Sequence, residues 1–318
     1  MKVLVTGAAG YIGGKVMRAL SRRTWVHTVV GTDLQQPNEL PEGVVFVRQD
    51  IRDALDPLFE RFGIDTVIHT AWVLKPIHDK CEMESINLQG TRNVLDACAR
   101  NGVHQLLFTS STTAYGFHPD NDVPLTEESP LRGNDDFTYA KNKKEAEALL
   151  AEFSRQHHDV TLTIVRPCFV VGPGFSNPLA QHLQKKFVML PRNARPWQFV
   201  HEDDLVAIIE RLLERRLGGI YNVAADGTIT FREMVHELGH VYVPLPWSVI
   251  FVLNTLAWQF RLTWMTRFPS AAMRMMVEPW IASNDKLKRE LGYEFQYDTK
   301  AAFHAYATSG TPRTSRRR

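Results

Sequence analysis

The sequence predicts an α/β protein in which a doubly wound parallel sheet is joined to a smaller C-terminal lobe. Strand-like and helix-like segments alternate over about the first 168 residues, as they do in repeated βαβ units. From residue 169 onward Pro, Gly, Trp, Phe and Met become dense and the alternation stops. A chain of 318 residues that is 44% hydrophobic can form one large domain or two closely joined ones.

A glycine-rich turn separates the first predicted strand from the first predicted helix. Residues 3–5 form a short apolar run, which is typical of a strand buried on both faces, and helical spacing begins at Tyr11. Gly7 permits a tight turn, Gly10 lets the backbone approach a pyrophosphate, and Gly13 lets the helix pack closely on the strand. A glycine turn without a ligand is the alternative.

An acidic residue at the end of the second strand favours the ligand-binding interpretation. Asp33 closes the apolar run over residues 26–31, at the spacing expected of a carboxylate that binds a ribose. The N–H groups at the start of the first helix would bind the phosphates. Together these features predict a Rossmann-type dinucleotide site.

The later elements continue the alternation. Because ligands of open parallel sheets lie beyond the carboxyl ends of the strands, residues that follow each strand are expected to line one cleft. Strands are predicted over residues 44–47, 66–69, 105–109 and 161–165, and helices over residues 55–62, 83–100 and 138–157.

The predicted domain division follows from this pattern. We expect a dinucleotide-binding domain over residues 1–168, a mainly substrate-binding lobe over residues 169–308 and a disordered tail over residues 309–318. Segments near residues 198–225 are candidates to return to the main sheet. Helices within the lobe are predicted over residues 202–216, 231–238 and 285–291, and strands over residues 198–200 and 221–223.

Tyr139 and Lys143 are four positions apart on one predicted helix, so their side chains share a face. A nearby ammonium group favours the phenolate and is expected to lower the pKa of Tyr139. Such a tyrosine can accept a proton from an alcohol or donate one to a carbonyl. The same spacing also occurs on ordinary helix surfaces.

Five hydroxyl residues, at positions 109–113, follow the strand over residues 105–109. One of these hydroxyls can stabilise charge on a reacting oxygen. The alternative is that they satisfy the backbone of the turn, as Ser and Thr often do. We expect most of the five to do the latter and one to act in the chemistry.

The ordered motifs resemble those of the extended short-chain dehydrogenase/reductases, in the NAD-dependent epimerase/dehydratase group. The resemblance covers roughly residues 1–230 and rests on the segments TGAAGYIG, HTA, NLQGTRN, SSTTAYG, YAKNK, RPCFVVGPG and FVHEDDL. It implies that Ser111, Tyr139 and Lys143 are catalytic. It also implies an NAD site formed by Gly7, Gly10, Tyr11, Ile12, Gly13, Asp33, Asp50, Ile51, Ala71, Asn87, Tyr139, Lys143, Pro167 and Phe169.

Charge favours NAD over NADP. The carboxylate of Asp33 would repel a 2′-phosphate and accept hydrogen bonds from a free 2′-hydroxyl. Residues 34–36 offer no arginine to bind such a phosphate.

Aromatic residues indicate the class of substrate. Trp72, Phe175 and Trp197 are candidate pocket residues along with Ser111, although most aromatic residues in such stretches belong to the core. The candidate pocket residues favour an oxidoreductase that transfers hydride at a secondary alcohol or ketone. Its small-molecule substrate would be apolar, and the enzyme would be similar to the hydroxysteroid dehydrogenases of the family. The alternatives are a nucleotide-sugar 4-epimerase or 4,6-dehydratase and, less favoured, a regulatory NAD-binding module without turnover.

Composition limits the other partners. Lys and Arg total 37 against 35 Asp and Glu, which predicts no nucleic-acid binding. The three cysteines have no metal-ligand spacing and are typical of a reducing cytoplasm. Residues 247–258 are too short to span a membrane, and we expect a buried or pocket helix there rather than membrane-surface docking. By family analogy, a homodimer is expected to form through the helices over residues 83–100 and 138–157.

Overall fold

The computed structural model of the chain describes residues 1–74, 78–175 and 178–309. The predicted tail therefore lies outside the described residues, apart from Ser309. The strands are β1 (Lys2–Thr6), β2 (Thr28–Asp33), β3 (Val44–Arg48), β4 (Thr66–His69), β5 (Gln105–Thr109), β6 (Thr161–Pro167), β7 (Phe169–Val171), β8 (Phe187–Pro191), β9 (Phe199–His201), β10 (Gly219–Val223) and β11 (Val241–Leu245).

The helices of the described residues alternate with these strands in the first half of the chain. They are α1 (Tyr11–Leu20), α2 (Asp56–Phe62), α3 (Lys80–Glu84), α4 (Gly90–Arg100), α5 (Thr138–Gln156), α6 (Pro178–Leu183), α7 (Glu202–Glu214), α8 (Phe231–Glu237), α9 (Trp247–Gln259), α10 (Asp285–Leu291) and α11 (Thr299–Thr308). Among these described helices, none is long and apolar enough to cross a membrane.

Seven parallel strands form the main sheet in the order β10-β6-β5-β4-β1-β2-β3. Successive residues of β1 point to opposite faces, so Val3 and Val5 enter one apolar cluster and Leu4 enters the other. Helices cover both faces, with α1 against α7 on one side and α4 against α5 on the other. The predicted doubly wound sheet is confirmed.

The second half of the chain contributes strands to the main sheet and to two smaller sheets. Strand β10 pairs with β6 and so returns to the main sheet. Strand β9 instead pairs with β7, and β8 pairs with β11, in two separate two-stranded sheets. Of the two predicted return strands, only β10 joins the main sheet.

The predicted single helix over residues 83–100 is divided. A π-helical turn over Ser85–Gln89 separates α3 from α4. The wider turn carries Asn87, whose side chain is fully buried and accepts a hydrogen bond from the Val73 N–H (2.8 Å). The division therefore fixes the loop that follows β4, as π-turns near functional sites often do.

Candidate active site

The glycine turn joins β1 to α1 at the carboxyl edge of the sheet. Gly7 has φ +74°, and an added Cβ there would lie 2.6 Å from the Ala71 backbone nitrogen. An added Cβ at Gly13 would lie 2.2 Å from the Gly7 carbonyl oxygen. Helix α1 begins after Gly10 with no side-chain cap and no acidic residue in its first turn. Its N-terminal N–H groups are therefore arranged to bind an anion.

Asp33 lies beside this turn at the end of β2. Its two carboxylate oxygens accept hydrogen bonds from the N–H groups of Ala9 and Gln35, each at 3.1 Å. These two bonds hold the carboxylate against the glycine turn while the side chain stays partly exposed. The ribose contact is predicted at this position.

Asp50 and Ile51 follow β3, with different surroundings. The Arg52 guanidinium lies 2.6 Å from the Asp50 carboxylate, and the hydrogen bonds between them lower the pKa of Asp50. Ile51 is buried against the start of α4, where an added Cβ at Gly90 would lie 2.5 Å from its Cδ1 atom. Asp50 therefore already has a cationic partner, and Ile51 serves as an apolar wall.

A buried hydrogen-bond chain holds the loop after β4. The Nδ1 atom of His69 lies 2.7 Å from the Thr6 hydroxyl oxygen, and its Nε2 atom lies 3.0 Å from that of Thr91. The Thr91 hydroxyl also donates to the Asn87 carbonyl oxygen (2.6 Å). Burial, with a smaller contribution from Lys143, lowers the pKa of His69 to about 3, so the ring is neutral at pH 7. The sequence contained these residues within motifs but indicated no role for His69.

The next group of side chains belongs to the segment after β5 and to the start of α5. Ser111 and Thr113 follow β5, and Tyr139 lies in the first turn of α5. Ser111 caps the 3-10 turn over Thr112–Tyr115, and its hydroxyl accepts from the Thr113 N–H (3.2 Å). Burial raises the pKa of Tyr139 to about 12, and the side chains of Ser111 and Thr113 offset part of that rise. The Ser111 and Thr113 side chains thus lie beside the Tyr139 phenol.

Lys143 is buried one turn after Tyr139. Its Nζ atom donates to the Thr109 carbonyl oxygen (2.7 Å) and lies 3.6 Å from the ring centroid of Trp72 and 5.9 Å from that of Tyr139. Burial lowers the pKa of Lys143 well below its usual value, although Glu147 opposes the change. The expected lowering of the Tyr139 pKa is therefore not found in the structure, because desolvation of the phenol has the larger effect.

Trp72 thus lies over the Lys143 ammonium group rather than in an open pocket. Its ring meets those of Tyr139 and Phe108 edge-on, with centroids 6.4 and 5.8 Å away. Its indole nitrogen is buried without a hydrogen-bond partner among the described residues, as are Asn87 Nδ2 and Thr113 Oγ1. Unpaired buried polar atoms are rare in folded proteins, and these three belong to the segments that follow β4 and β5 and to the π-helical turn.

A second buried charge lies behind this cluster. Arg166 on β6 forms an ion pair with Glu147 on α5 at 2.6 Å, and both side chains are 3% exposed. Glu147 also accepts from the Ser110 hydroxyl (2.5 Å), and Arg166 donates to the Tyr115 hydroxyl (2.8 Å). This network attaches the helix that carries Tyr139 to the sheet. The sequence offered one signal, the spacing of Glu147 four residues after Lys143.

Two predicted substrate residues lie in the core. Trp197 is 1% exposed, stacks on Phe169 with ring centroids 4.6 Å apart, and donates from Nε1 to the Met275 carbonyl oxygen (2.9 Å). Phe175 is buried edge-on against Tyr306. The expected substrate contacts of Trp197 and Phe175 are thus corrected, because neighbouring elements cover both rings. Pro167 ends β6 next to this aromatic cluster.

The described part of the chain was also compared with the requirements of a metal site. No group of three or more His, Cys, Asp or Glu residues is placed to hold a metal ion there.

Asp204 has a structural role. Its carboxylate accepts hydrogen bonds from the Tyr293 hydroxyl (2.7 Å) and from the Gln296 N–H (2.9 Å), so it holds the segment over residues 293–296 against α7.

Known proteins with similar sequences include a sugar epimerase. The model of the NAD-dependent epimerase/dehydratase family matches residues 3–224. The N-acetyl-α-D-glucosaminyl-diphospho-ditrans,octacis-undecaprenol 4-epimerase of Escherichia coli O157:H7 is 30% identical over 246 residues, which are 74% of this chain and 71% of that protein.

Solved structures with the same fold include two sugar-nucleotide enzymes. The UDP-glucose 4-epimerase of Thermotoga maritima is 20% identical with a TM-score of 0.76, over 96% of this chain and 97% of that one. The dTDP-glucose 4,6-dehydratase of Bacillus anthracis is 17% identical with a TM-score of 0.74, over 96% of this chain and 95% of that one. At these identities the likeness establishes the fold.

Proposed function

Because the chain belongs to the NAD-dependent epimerase/dehydratase family, we propose that it is a 4-epimerase of a sugar linked to a diphosphate. Members are NAD-dependent enzymes of the extended short-chain dehydrogenase/reductase type, so NAD is the cofactor. The observation that supports the proposal is the meeting of the Tyr139, Ser111 and Thr113 side chains beside Lys143. Such a cluster suits proton transfer at a secondary hydroxyl.

The residues present fit NAD. The uncapped start of α1, with Gly7, Gly10, Tyr11, Ile12 and Gly13, would hold the pyrophosphate, and Asp33 the adenine ribose. Ile51 and Ala71 would line the cleft, Asn87 has an amide nitrogen free to donate, and Lys143 would bind the nicotinamide ribose. Pro167 and Phe169 would flank the nicotinamide. When bound, NAD supplies the acceptor and later the donor of the hydride.

The protein residues would then move the proton. Tyr139 would accept the proton of the sugar hydroxyl as the alcohol becomes a ketone, and return it when the alcohol is re-formed. Ser111 would hydrogen-bond the reacting oxygen. A positive charge on Lys143 would favour the phenolate that this step requires.

Epimerisation is favoured over dehydration by the residues of the turn. Elimination of water needs a base for the C–H proton and an acid for the departing hydroxyl. Residues 109–116 contain no carboxylate. The nearby Glu147 is already paired with Arg166.

The predicted steroid-like substrate receives no support. Two of the aromatic residues that suggested an apolar pocket, Phe175 and Trp197, are buried in the core. The 30% identical relative is a 4-epimerase of N-acetylglucosamine that is linked through a diphosphate to undecaprenol. A sugar that is linked through a diphosphate to an apolar carrier would suit the family and would also contain the apolar portion that the sequence predicted for the substrate.

The test is incubation of the protein and NAD with two substrates in parallel, UDP-N-acetylglucosamine and undecaprenyl-diphospho-N-acetylglucosamine. We expect the 4-epimer, read by NMR of the released sugar, without net accumulation of NADH. Tyr139→Phe is expected to lower the rate by about 10²–10⁴-fold, whereas Tyr242→Phe, whose hydroxyl donates to the Pro191 carbonyl oxygen in the second lobe, is the matched control. Stoichiometric NADH with a ketone product would instead identify a dehydrogenase, and loss of water a dehydratase.

Assembly and location are part of the proposal. A homodimer would form through α4 and α5, which contact each other and expose the small side chains of Ala148 and Ala151. Light scattering of the purified chain tests it. All three cysteines are free, which is compatible with the proposed cytoplasmic location.

A further inference from the structure

Helix α9 presents apolar side chains to the outside. Val249, Val252, Leu253, Leu256 and Phe260 recur at the spacing of one helix face, and we call them the outer face of α9. Val252 is 55% exposed and Phe260 is 71% exposed. The sequence predicted a buried or pocket helix here, but Ala257 is its one buried residue within the described structure.

Two polar residues of the same helix bind the protein. Asn254 donates to the Phe268 carbonyl oxygen and to the Ser270 hydroxyl, each at 3.0 Å. The Thr255 hydroxyl lies 2.7 Å from the same Ser270 oxygen. Two polar residues of α9, Asn254 and Thr255, therefore bind the protein, while the apolar residues of the outer face are exposed.

The exposed apolar surface continues beyond the helix. Trp264 is 75% exposed in the turn that follows, next to the exposed Met265. Strand β8 contacts α9 and exposes Phe187 and Met189. Monomeric proteins rarely expose contiguous apolar patches of this kind unless the patch binds a partner.

Charge indicates the kind of partner. Residues 160–201 and 238–277 contain no Asp or Glu. Lys185, Lys186, Arg192 and Arg261 are exposed around this surface, and no described carboxylate pairs with them. Two copies joined through this face would bring like charges together, whereas an anionic lipid surface would neutralise them.

We infer that the outer face of α9 and Trp264 dock the protein onto an anionic lipid bilayer as a peripheral protein. The apolar side chains would enter the interface between headgroups and acyl chains, with Trp264 and Phe260 as aromatic anchors. On the inner side of α9, Trp258 stacks on His78 (4.2 Å between ring centroids), in the segment that follows the Trp72 loop. Docking would therefore place the bilayer near the entrance of the cleft.

The experiment is co-sedimentation of the full chain with vesicles of phosphatidylcholine alone or with one quarter phosphatidylglycerol, without substrate. We expect binding to the anionic vesicles that weakens in 0.5 M NaCl. Phe260→Ser/Trp264→Ser is expected to lower the partition coefficient roughly tenfold or more. Lys185→Gln/Lys186→Gln is expected to lower it by a similar factor, on the anionic vesicles only.

The control is Leu40→Ser/Val123→Ser, which also removes two exposed apolar side chains but from elsewhere on the surface. It is expected to bind vesicles like the parent, and all variants to keep the parent's melting temperature. Absence of vesicle binding, or binding unchanged by Phe260→Ser/Trp264→Ser, would overturn the inference. So would a change of that variant from dimer to monomer without vesicles, because the face would then join two copies. Since no turnover is measured, the result is independent of the proposed 4-epimerase activity.

Discussion

Two buried cations on neighbouring elements, Lys143 and Arg166, have opposite surroundings. Each is 2% exposed. Arg166 has a carboxylate partner, Glu147, and bonds to it raise its pKa despite burial. Lys143 has a carbonyl oxygen and the face of Trp72, and burial lowers its pKa. The protein itself satisfies the first charge with a carboxylate, while the second has no ion-pair partner among the described residues.

The comparison indicates how structural and chemical roles can be told apart. A buried charge with a complete set of partners stabilises one arrangement of the chain. A buried charge held by a single carbonyl and an aromatic ring costs stability, and such residues concentrate at functional sites. Replacing each cation should therefore have opposite effects on stability and on activity.

The largest effect is expected at the ion pair. Arg166→Met leaves the Glu147 carboxylate buried without its cation and should lower the free energy of unfolding by about 3–5 kcal/mol, measured by urea denaturation. Arg155→Met, which removes an exposed cation paired with Glu152 on the same helix, is the control and should change it by less than about 1 kcal/mol. Equal effects of the two variants would mean that the buried ion pair contributes no more to stability than the exposed one.

At Lys143 the expected pattern is reversed. Lys143→Met should lower kcat by about 10²-fold or more while leaving the free energy of unfolding unchanged or raising it by about 1 kcal/mol. Lys144→Met removes the neighbouring, partly exposed lysine and should preserve both. A large loss of stability in Lys143→Met would mean that Lys143 is a structural cation like Arg166.

The pH dependence of stability sharpens the same contrast. The pKa of Lys143 is lower in the folded protein than in the unfolded chain, so the unfolded chain binds more protons between those two values. The lysine therefore destabilises the fold below the folded pKa, and stability recovers as the pH rises toward the ordinary lysine pKa of about 10.4. The difference in unfolding free energy between Lys143→Met and the parent should shrink across this window.

The sequence predicted the sheet better than the surfaces. Strands β4 and β5 and helix α10 have the predicted bounds, because apolar runs buried on both faces need no knowledge of what covers them. Trp197 and α9 were assigned to the wrong surroundings, since periodicity shows which residues share a face but not what lies opposite. The contacts of His69 were also beyond prediction, because they join three distant segments.

Asp33 extends the contrast to a charge at the cleft edge. Its carboxylate accepts only two backbone hydrogen bonds at about 3.1 Å among the described residues, which leaves lone pairs for the ribose hydroxyls of NAD. Asp33→Ala should raise the Kd of NAD by roughly 10²-fold or more, because two hydrogen bonds to a charged group, each of about 1.5–3 kcal/mol, are lost.

The same substitution should narrow the preference for NAD over NADP, since the repulsion of a 2′-phosphate also disappears. Calorimetric titration with both nucleotides measures the two effects, and Asp159→Ala, an exposed carboxylate after α5, is the control. Unchanged NAD affinity in Asp33→Ala would mean that the carboxylate serves only to hold the glycine turn through the Ala9 N–H. In that case Asp33 would belong with Arg166 as a charge that the protein satisfies itself.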